Sequence, residues 1–568
     1  MAWKWGPREQ ARRTLAGEQG VVVKDWGGRL PIALVYPNRY AVGMGNLGIH
    51  CAYRLWNARP DVVCERAFPT LDGRGPEEDD ALWVGKATHL RATSPILSLE
   101  SQRPLGEFSV IAFSAAYELD YPHLVGTLRG SGIPLLSSER GRADPVVIAG
   151  GMGVTANPEP LAPFLDAVAL GDAEPLLDPL TEALCEARGA PREEVWARLG
   201  QVPGIYVPAL YDVEYGPDGR LTRLSHAGRT WREGLNSTVP LPGTVHRQVQ
   251  EGFERGPAHT VIFSDRAEFG NLFLLEVSRG CSRGCAFCLA GHTSRPARYW
   301  PVGMLLSLAG EGLRYREAVG LVGAAVSDHP EVDELAMSLR RMGARLSVSS
   351  WRADALSETL LQALAQSGAQ SVTLAPEAGT ERLRRRIAKN ITNEHLQRAA
   401  ELAGRLGIRQ IKLYFMVGLP GETEEDVAAI GQLSSQIAAW AGARVVVGIS
   451  PFVPKAQTPF QRQGMLPAMV LKRRLAWLQK DLARRGIQAR TESVAWSEVQ
   501  AALARGGRTL AEALAAMGDC TLGAWRAALE RTGVDIMPAL QGLREGALPW
   551  AHIASGTQGT AVTPCRHK

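Results

Sequence analysis

Eight cysteines in 568 residues are too few and too scattered for a disulfide framework, and a chain this long can bury a large core without covalent staples. No apolar run is long enough to cross a bilayer, and the start, Met1-Ala-Trp-Lys-Trp-Gly-Pro-Arg8, has no apolar signal core. Internal repeats and long low-complexity stretches are also missing. Neither sign of charge dominates: 63 Lys+Arg face 58 Asp+Glu, a net +5. That is weak evidence for a nucleic-acid partner. These absences predict a cytoplasmic protein with no membrane contact. The 45 % hydrophobic and 21 % charged content is ordinary for globular domains, and the length predicts about three or four of them.

What the sequence does have is one tight group of thiols. Cys281, Cys285 and Cys288 lie in Glu276-Val-Ser-Arg-Gly-Cys-Ser-Arg-Gly-Cys-Ala-Phe-Cys-Leu-Ala-Gly291, spaced C-x3-C-x2-C. Three thiolates so close can bind three irons of a [4Fe–4S] cubane and leave the fourth without a protein ligand. An open metal position suits a catalytic site, whereas a structural site is closed. Such an iron would take a small molecule with an amine and a carboxylate, such as S-adenosylmethionine. Gly280 and Gly284 are expected to let backbone N–H groups approach the sulfurs, and Phe287 to cover the cluster or the adenine. A zinc site would want a fourth ligand in paired spacing. Cys51, Cys64, Cys185, Cys520 and Cys565 form no second pair. An unprotected trio would not survive oxidation, which favours a reducing compartment.

A C-x3-C-x2-C run after a strand-like segment (Asn271–Val277), with an aromatic before the last cysteine, resembles the signature of the radical SAM enzymes. The second half of the chain also reads as their barrel. Strand candidates at 271–277, 320–326, 346–350, 371–375, 410–416 and 445–450 alternate with helical stretches. That pattern predicts a partial (β/α)6 barrel with its site at the strand C-termini. The first half alternates strands at 30–36, 109–114, 145–149 and 167–170 with helices, an open α/β sheet whose ligand edge is again the strand C-termini. The expected fold is therefore α/β. A Rossmann-like, cobalamin-binding-type domain spans 1–205, a linker or polar bridge 206–268, the radical SAM barrel 269–464, and a helical C-terminal region 465–568.

The resemblance implies roles at several strand ends. Glu377, in Leu374-Ala-Pro-Glu-Ala-Gly-Thr-Glu381, would accept hydrogen bonds from a ribose diol or the methionine amine. Thr380 and Glu381 read as a helix cap and first turn. Gly418 and Pro420, in Gly418-Leu-Pro-Gly-Glu-Thr423, match the segment that packs on the adenine, and Thr423 starts a helix. Ser327 stands where the family often carries a Gly-Gly-Glu segment for the methionine amine, a triplet missing here. Ser350 and Arg352 end the third strand, on one face, where they could reach the ribose or carboxylate of the cofactor; a helix cap is the equal alternative. Lys455 could face the site. Basic residues in 471–482 read as a solvated face.

In the first half, Gly43-Met-Gly-Asn-Leu-Gly48 is a formal G-x-G-x-x-G, but Pro37–Val42 separate it from the strand, against a dinucleotide fingerprint. Gly150 and Gly151, in Gly150-Gly-Met-Gly153, and Gly171, in Gly171-Asp-Ala-Glu174, match the loops that approach the corrin and its nucleotide tail in cobalamin-binding domains. The D-x-H-x-x-G motif with the lower axial histidine is absent, and His50, His89 and His123 have no such context. Further segments, among them Asn157-Pro-Glu-Pro160, Thr458-Pro-Phe-Gln461, Arg505-Gly-Gly-Arg508 and Leu548-Pro-Trp-Ala-His-Ile553, are similar to radical SAM proteins that carry a B12-binding domain and have no assigned function. The resemblance covers about residues 30 to 555. It implies a [4Fe–4S] cluster, S-adenosylmethionine and cobalamin as cofactors, cobalamin-dependent methyl transfer as one outcome, and an electron donor such as flavodoxin or ferredoxin. A separately encoded partner domain would supply the one that many members carry fused. The rival reading is a non-catalytic iron–sulfur scaffold or sensor, associated with RNA.

Overall fold

The computed structural model describes residues 6–71, 95–226, 242–348, 351–543 and 545–555. Leu30-Pro-Ile-Ala-Leu-Val35 has no polar face, as a strand covered on both sides requires, and all six residues are buried. This strand, β1 (Leu30–Val35), lies in a sheet with β2 (Val62–Ala67), β3 (Val110–Ser114), β4 (Val146–Gly150), β5 (Ala167–Ala169) and β6 (Ile205–Tyr206). The order is β2-β1-β3-β4-β5-β6. Only β6 runs antiparallel. The order reverses between β1 and β3, so their C-terminal ends form the crevice where such sheets bind ligands.

Strand β2 escapes the sequence reading because Glu65 and Arg66 occupy its centre. Both are buried, Arg66 completely. Its guanidinium bonds Glu18 at 2.7 Å and Glu100 at 2.8 Å, so a charged pair of residues behaves as core. The G-x-G-x-x-G stretch is helical punctuation: Asn46 caps the helix Leu47–Ala58, accepting from the Gly48 N–H.

The second half opens as expected. Strands β7 (Leu272–Glu276), β8 (Ala318–Val322) and β9 (Arg345–Val348) are parallel. So are β10 (Ser371–Glu377), β11 (Gln410–Val417), β12 (Arg444–Pro451) and β13 (Gln488–Thr491). One parallel bridge, Trp351–Leu374, joins the two groups into an open barrel. Strand β11 alternates strictly: Ile411, Leu413, Phe415 and Val417 are buried against helices, while Lys412, Tyr414 and Met416 take the other face. Strand β13 and its helix Ala468–Arg484 extend the barrel past the expected limit at 464. A strand reading Gln-Ala-Arg-Thr carries too little apolar signal to be seen in sequence.

The 206–268 segment is not a free linker. It contains the hairpin Tyr211–Tyr215/Leu221–His226, pairs Phe263–Ser264 with Glu18–Gln19 and bridges Gln248 to Gly171. The helical tail folds back on the first half, where Val499, Leu503, Leu510 and Trp525 join its core. A buried polar clamp fixes it there. Glu159 accepts from Tyr206 and Tyr215 at 2.6 Å each and from Arg508 at 2.9 Å, with His552 at 3.2 Å. Asn157 bonds the carbonyls of Ala504 and Gly506, and Trp550 bonds Gln461. Four sequence motifs that carried no chemistry alone thus meet in one place.

Candidate active site

The thiol loop leaves β7 and is closed by a short antiparallel pair, Ser278–Arg279 with Arg298–Tyr299. Gly280 sits at φ 76°, and a Cβ there would lie 2.2 Å from the Ser294 carbonyl, so only glycine fits. Gly284 has open space around it. The N–H groups that reach sulfur come from Arg283, 3.4 Å from Cys281 Sγ, and from Gly291, to Cys288. This corrects the expected role of Gly280 and Gly284. Cys281 and Cys285 are buried and Cys288 half-buried. Burial pushes the Cys281 and Cys288 thiols up, so their thiolates need positive charge beside them.

Charged side chains tie the next strand ends to this loop. Arg283 grips Asp328, after β8, at 2.8 Å and Asp354, after β9, at 3.1 Å. Asp354 also binds Arg352 at 2.9 Å. Burial raises the Asp354 carboxyl, but the two arginines outweigh it and hold it below its usual range. Arg352 is thereby aimed, with Nη1 3.8 Å from Cys285 Sγ. Its expected place at the site is occupied, and Asp354 positions it, a role the sequence did not signal. Ser350 lies outside the described residues. The Ser327 hydroxyl is buried without a partner, as is that of Ser278 at the end of β7.

Glu377 ends β10 at φ 69°, a left-handed backbone that strains a non-glycine residue by about 1–3 kcal/mol. Its carboxylate pairs with Lys389 at 3.1 Å. Lys389 also stands 5.9 Å from the centre of the Phe287 ring, a contact that sequence reading missed because Lys389 follows a plain helix. Phe287 packs into a small core with Ala378, Leu419 and Phe452, fastening the thiol loop to the ends of β10 to β12. Thr380 and Thr423 cap their helices as expected. Gly418, at φ 99°, donates its N–H to Glu422 at 2.8 Å, and the Pro420 carbonyl accepts from Arg386 at 2.8 Å. Burial raises the Glu422 carboxyl to about 7, against the pull of the Gly418 N–H and Arg474. Lys455 instead reaches across to the first half, 2.6 Å from Glu118.

A cavity of about 330 Å³ lies at the C-terminal edge of the first sheet. Gly150, Gly151 and Gly171 line it with Phe113, Trp56 and Leu177, and it extends to Glu276, Arg279, Thr293 and Ser294 of the thiol loop. The glycines have different reasons. A Cβ at Gly171 would be 2.0 Å from the Gln248 carbonyl, and at Gly151 2.8 Å from that of Ala115, whereas Gly150 meets only ordinary contacts at 3.7 Å. Gly151 and Gly171 therefore make room for the chain itself, and only Gly150 is free of that constraint. Arg279 seals one side, bonding Glu174 and Glu276 at 2.8 Å each. His50 bonds the Met44 carbonyl and His123 lies 3.9 Å from Asp120; neither lines the cavity. His89 lies outside the described residues.

Comparison with known proteins bears on both halves. Residues 275–433 match the family model for the radical SAM superfamily, and residues 48–208 the model for the N-terminal region of radical SAM proteins. An uncharacterized protein of Methanocaldococcus jannaschii is 27 % identical over 485 residues, 85 % of this chain and 90 % of that one. Cytidylyl-2-hydroxyethylphosphonate methyltransferase of Streptomyces wedmorensis is 26 % identical over 212 residues, 34 % of this chain and 37 % of its own length. Among solved structures, the radical S-adenosylmethionine methyltransferase TsrM from Kitasatospora setae, with cobalamin and [4Fe–4S] cluster bound, aligns at 16 % identity over 76 % of this chain and 74 % of that one. The TM-score is 0.46, too loose a likeness to assign residue roles.

Proposed function

The chain belongs to the radical SAM superfamily, and from that premise we propose that Cys281, Cys285 and Cys288 hold a [4Fe–4S] cluster whose fourth iron binds S-adenosylmethionine. The observation that carries this reading is the trio on one loop, Cys281 and Cys285 buried and Cys288 half-buried, with Arg352 Nη1 3.8 Å from Cys285 Sγ. Held by these cysteines and reduced, such a cluster would supply one-electron reductive cleavage of the bound sulfonium, and this chain's residues would hold and orient S-adenosylmethionine for it. Arg352 would meet the carboxylate, Glu377 the ribose, and Phe287 and the Gly418–Pro420 turn the adenine side. The electron comes from an external carrier of the flavodoxin or ferredoxin kind. No helix among the described residues is long and apolar enough to cross a membrane, and a cytoplasmic setting would protect the thiols. The test is anaerobic reconstitution with a reductant: S-adenosylmethionine should turn over to 5′-deoxyadenosine, and intact S-adenosylmethionine would favour the scaffold or sensor reading.

Glu377 allows a sharper test. Replacing it by Gly removes the carboxylate and also relieves the left-handed backbone. S-adenosylmethionine affinity should fall by about 1.5–3 kcal/mol, the range for a hydrogen bond to a charged group. Iron content should not fall. Unchanged affinity would make Glu377 a structural residue only.

We further propose that the first half binds cobalamin, with methyl transfer as the reaction class; the methyltransferase relative supports that class. The mostly apolar cavity fits the benzimidazole end of the cofactor and is too small for the corrin, which would lie over the strand ends facing the thiol loop. With no histidine lining the cavity, bound cobalamin should be base-off and His-off. After addition of hydroxocobalamin and desalting, the corrin spectrum and about one cobalt per chain are expected. Gly150→Phe should abolish retention without loss of iron. No cobalt retained by the wild type would remove methyl transfer from the proposal.

A further inference from the structure

The helix Ala468–Arg484 packs on the barrel through Leu471, Leu475, Leu478 and Leu482, and its opposite face carries basic residues that read, in sequence, as merely solvated. One stripe of that face is Met469, Arg473, Trp477, Lys480 and Arg484, each three or four residues after the last, and all five are exposed. Trp477 is the only tryptophan among the exposed large apolar side chains of the described residues, at 46 %. A tryptophan left nearly half in water between two cations is a stacking platform without an occupant. The chain answers some of the charge beside it. Arg474 is held by Glu422 at 2.7 Å and Arg485 by Asp481 at 2.8 Å. Arg473 has only the exposed Glu424, at 3.6 Å. Lys472, off the stripe, lies near Glu498, whose carboxyl burial raises and Lys472 lowers. Lys480 and Arg484 make no ion pair among the described residues. The positive charge continues past the helix end onto the N-terminal rim of the barrel. There Arg444 bonds Gln488, the first residue of β13, at 2.5 Å, and its N–H bonds the Arg409 carbonyl at 3.0 Å. Both arginines are exposed, and among the described residues neither meets a carboxylate.

The helix rises about 16 Å from Arg473 to Arg484, and two strand spacings along the rim add about another 10 Å. Evenly spaced cations suit a polyanion with evenly spaced charges, and an exposed ring suits a planar base, so the track fits a nucleic-acid strand. An anionic membrane would need a broad apolar face, whereas only Ala476 and Ala483 flank this stripe on its exposed side. Stacking on Trp477 requires an unpaired base, which RNA loops and ends present. We propose that this stripe and rim bind single-stranded RNA, with Trp477 stacking one base and Lys480, Arg484, Arg444 and Arg409 meeting its phosphates. The surface lies on the outer wall and N-terminal rim of the barrel, at the end opposite the thiol loop. It therefore anchors a strand and does not present it to the cysteines, and the inference stands independently of the cluster reading.

The test is fluorescence anisotropy of a short labelled single-stranded RNA of mixed sequence, titrated with anaerobically reconstituted full-length protein. Binding at low salt should be on the order of micromolar and should weaken steeply as salt rises. Trp477→Ala should weaken it about tenfold. Lys480→Ala with Arg484→Ala should lower the slope of log affinity against log salt by about 1.4, the share of two phosphates on a single strand. All the replaced groups are exposed, so iron content and melting temperature should match the wild type and show that the fold is kept. Duplex RNA of the same length keeps its bases stacked on one another, so it should bind more weakly and be indifferent to Trp477→Ala. No binding by the wild type at low salt, or full binding by Trp477→Ala, would overturn the proposal. Tighter binding of DNA of the same sequence would overturn the assignment to RNA. Displacement of the RNA by polyglutamate at equal charge would overturn it in favour of an acidic protein partner.

Discussion

Replacing Cys281, Cys285 and Cys288 together by Ala should take reconstituted protein from about four irons per chain to none. The broad absorbance that dithionite bleaches should vanish with them. The expectation follows from the supply of thiols: Cys51, Cys64, Cys185, Cys520 and Cys565 form no second closely spaced group that could take over. Cys51 and Cys520 provide the control. Both are buried and their thiols are pushed up, Cys520 to about 12 and Cys51 beyond, by burial and by the neighbouring carboxylates of Asp519 and Glu174 respectively. They behave as small apolar residues, and their Ala variants should keep full iron. Equal iron in the triple variant and the wild type would sink the cluster assignment.

Glu159→Ala should produce the largest loss of stability. Its carboxylate is fully buried and serves Tyr206, Tyr215 and Arg508 at once. Removing one member of a buried charged pair leaves the other uncompensated, at roughly 3–5 kcal/mol. That corresponds to a fall in apparent Tm on the order of 10 °C for a unit of a few hundred residues. The pH dependence has a definite sign. Burial raises this carboxyl, but Arg508, His552 and Tyr206 overcome it and hold it well below 4.5. A depressed carboxylate gives its full stabilisation above the unfolded value and loses it as pH falls toward the folded one. Below about pH 4.5 the wild type should lose stability more steeply than Glu159→Gln, which has no proton to gain there. Parallel acid profiles, or a Tm within a degree or two of the wild type for Glu159→Ala, would show that the clamp does not hold the tail.

Legibility followed chemistry with a short range. The cysteine spacing, the helix caps at Thr380 and Thr423, and the apolar strands β1, β3, β4 and β7 depend on neighbours within a few residues, so they can be read directly. Strands whose polar residues are satisfied by distant partners cannot. Arg66 reads as a surface residue until Glu18 and Glu100 close on it, and β13 looks like a loop until β12 pairs with it. Positioning residues are harder still. Asp354 and Lys389 acquire meaning only because the barrel brings three loops to one place. The same folding changes the reading of two residues. Lys455 pairs with Glu118 and does not face the barrel site, and Gly171 lines the cavity yet owes its lack of a side chain to the approach of Gln248.

Because Arg279 is shared, the two halves are not interchangeable parts. It stands two residues ahead of Cys281, yet it answers Glu174 and Asp172 of the first half as well as Glu276 of its own strand. Asp172 in turn binds Arg298, which closes the thiol loop. A chimera that joined this barrel to a related N-terminal domain lacking those two acids would leave Arg298 without its carboxylate and Arg279 with Glu276 alone, beside the first cysteine. Exchange between relatives is thus confined to whole chains, or to halves that carry both sides of this charge pattern together.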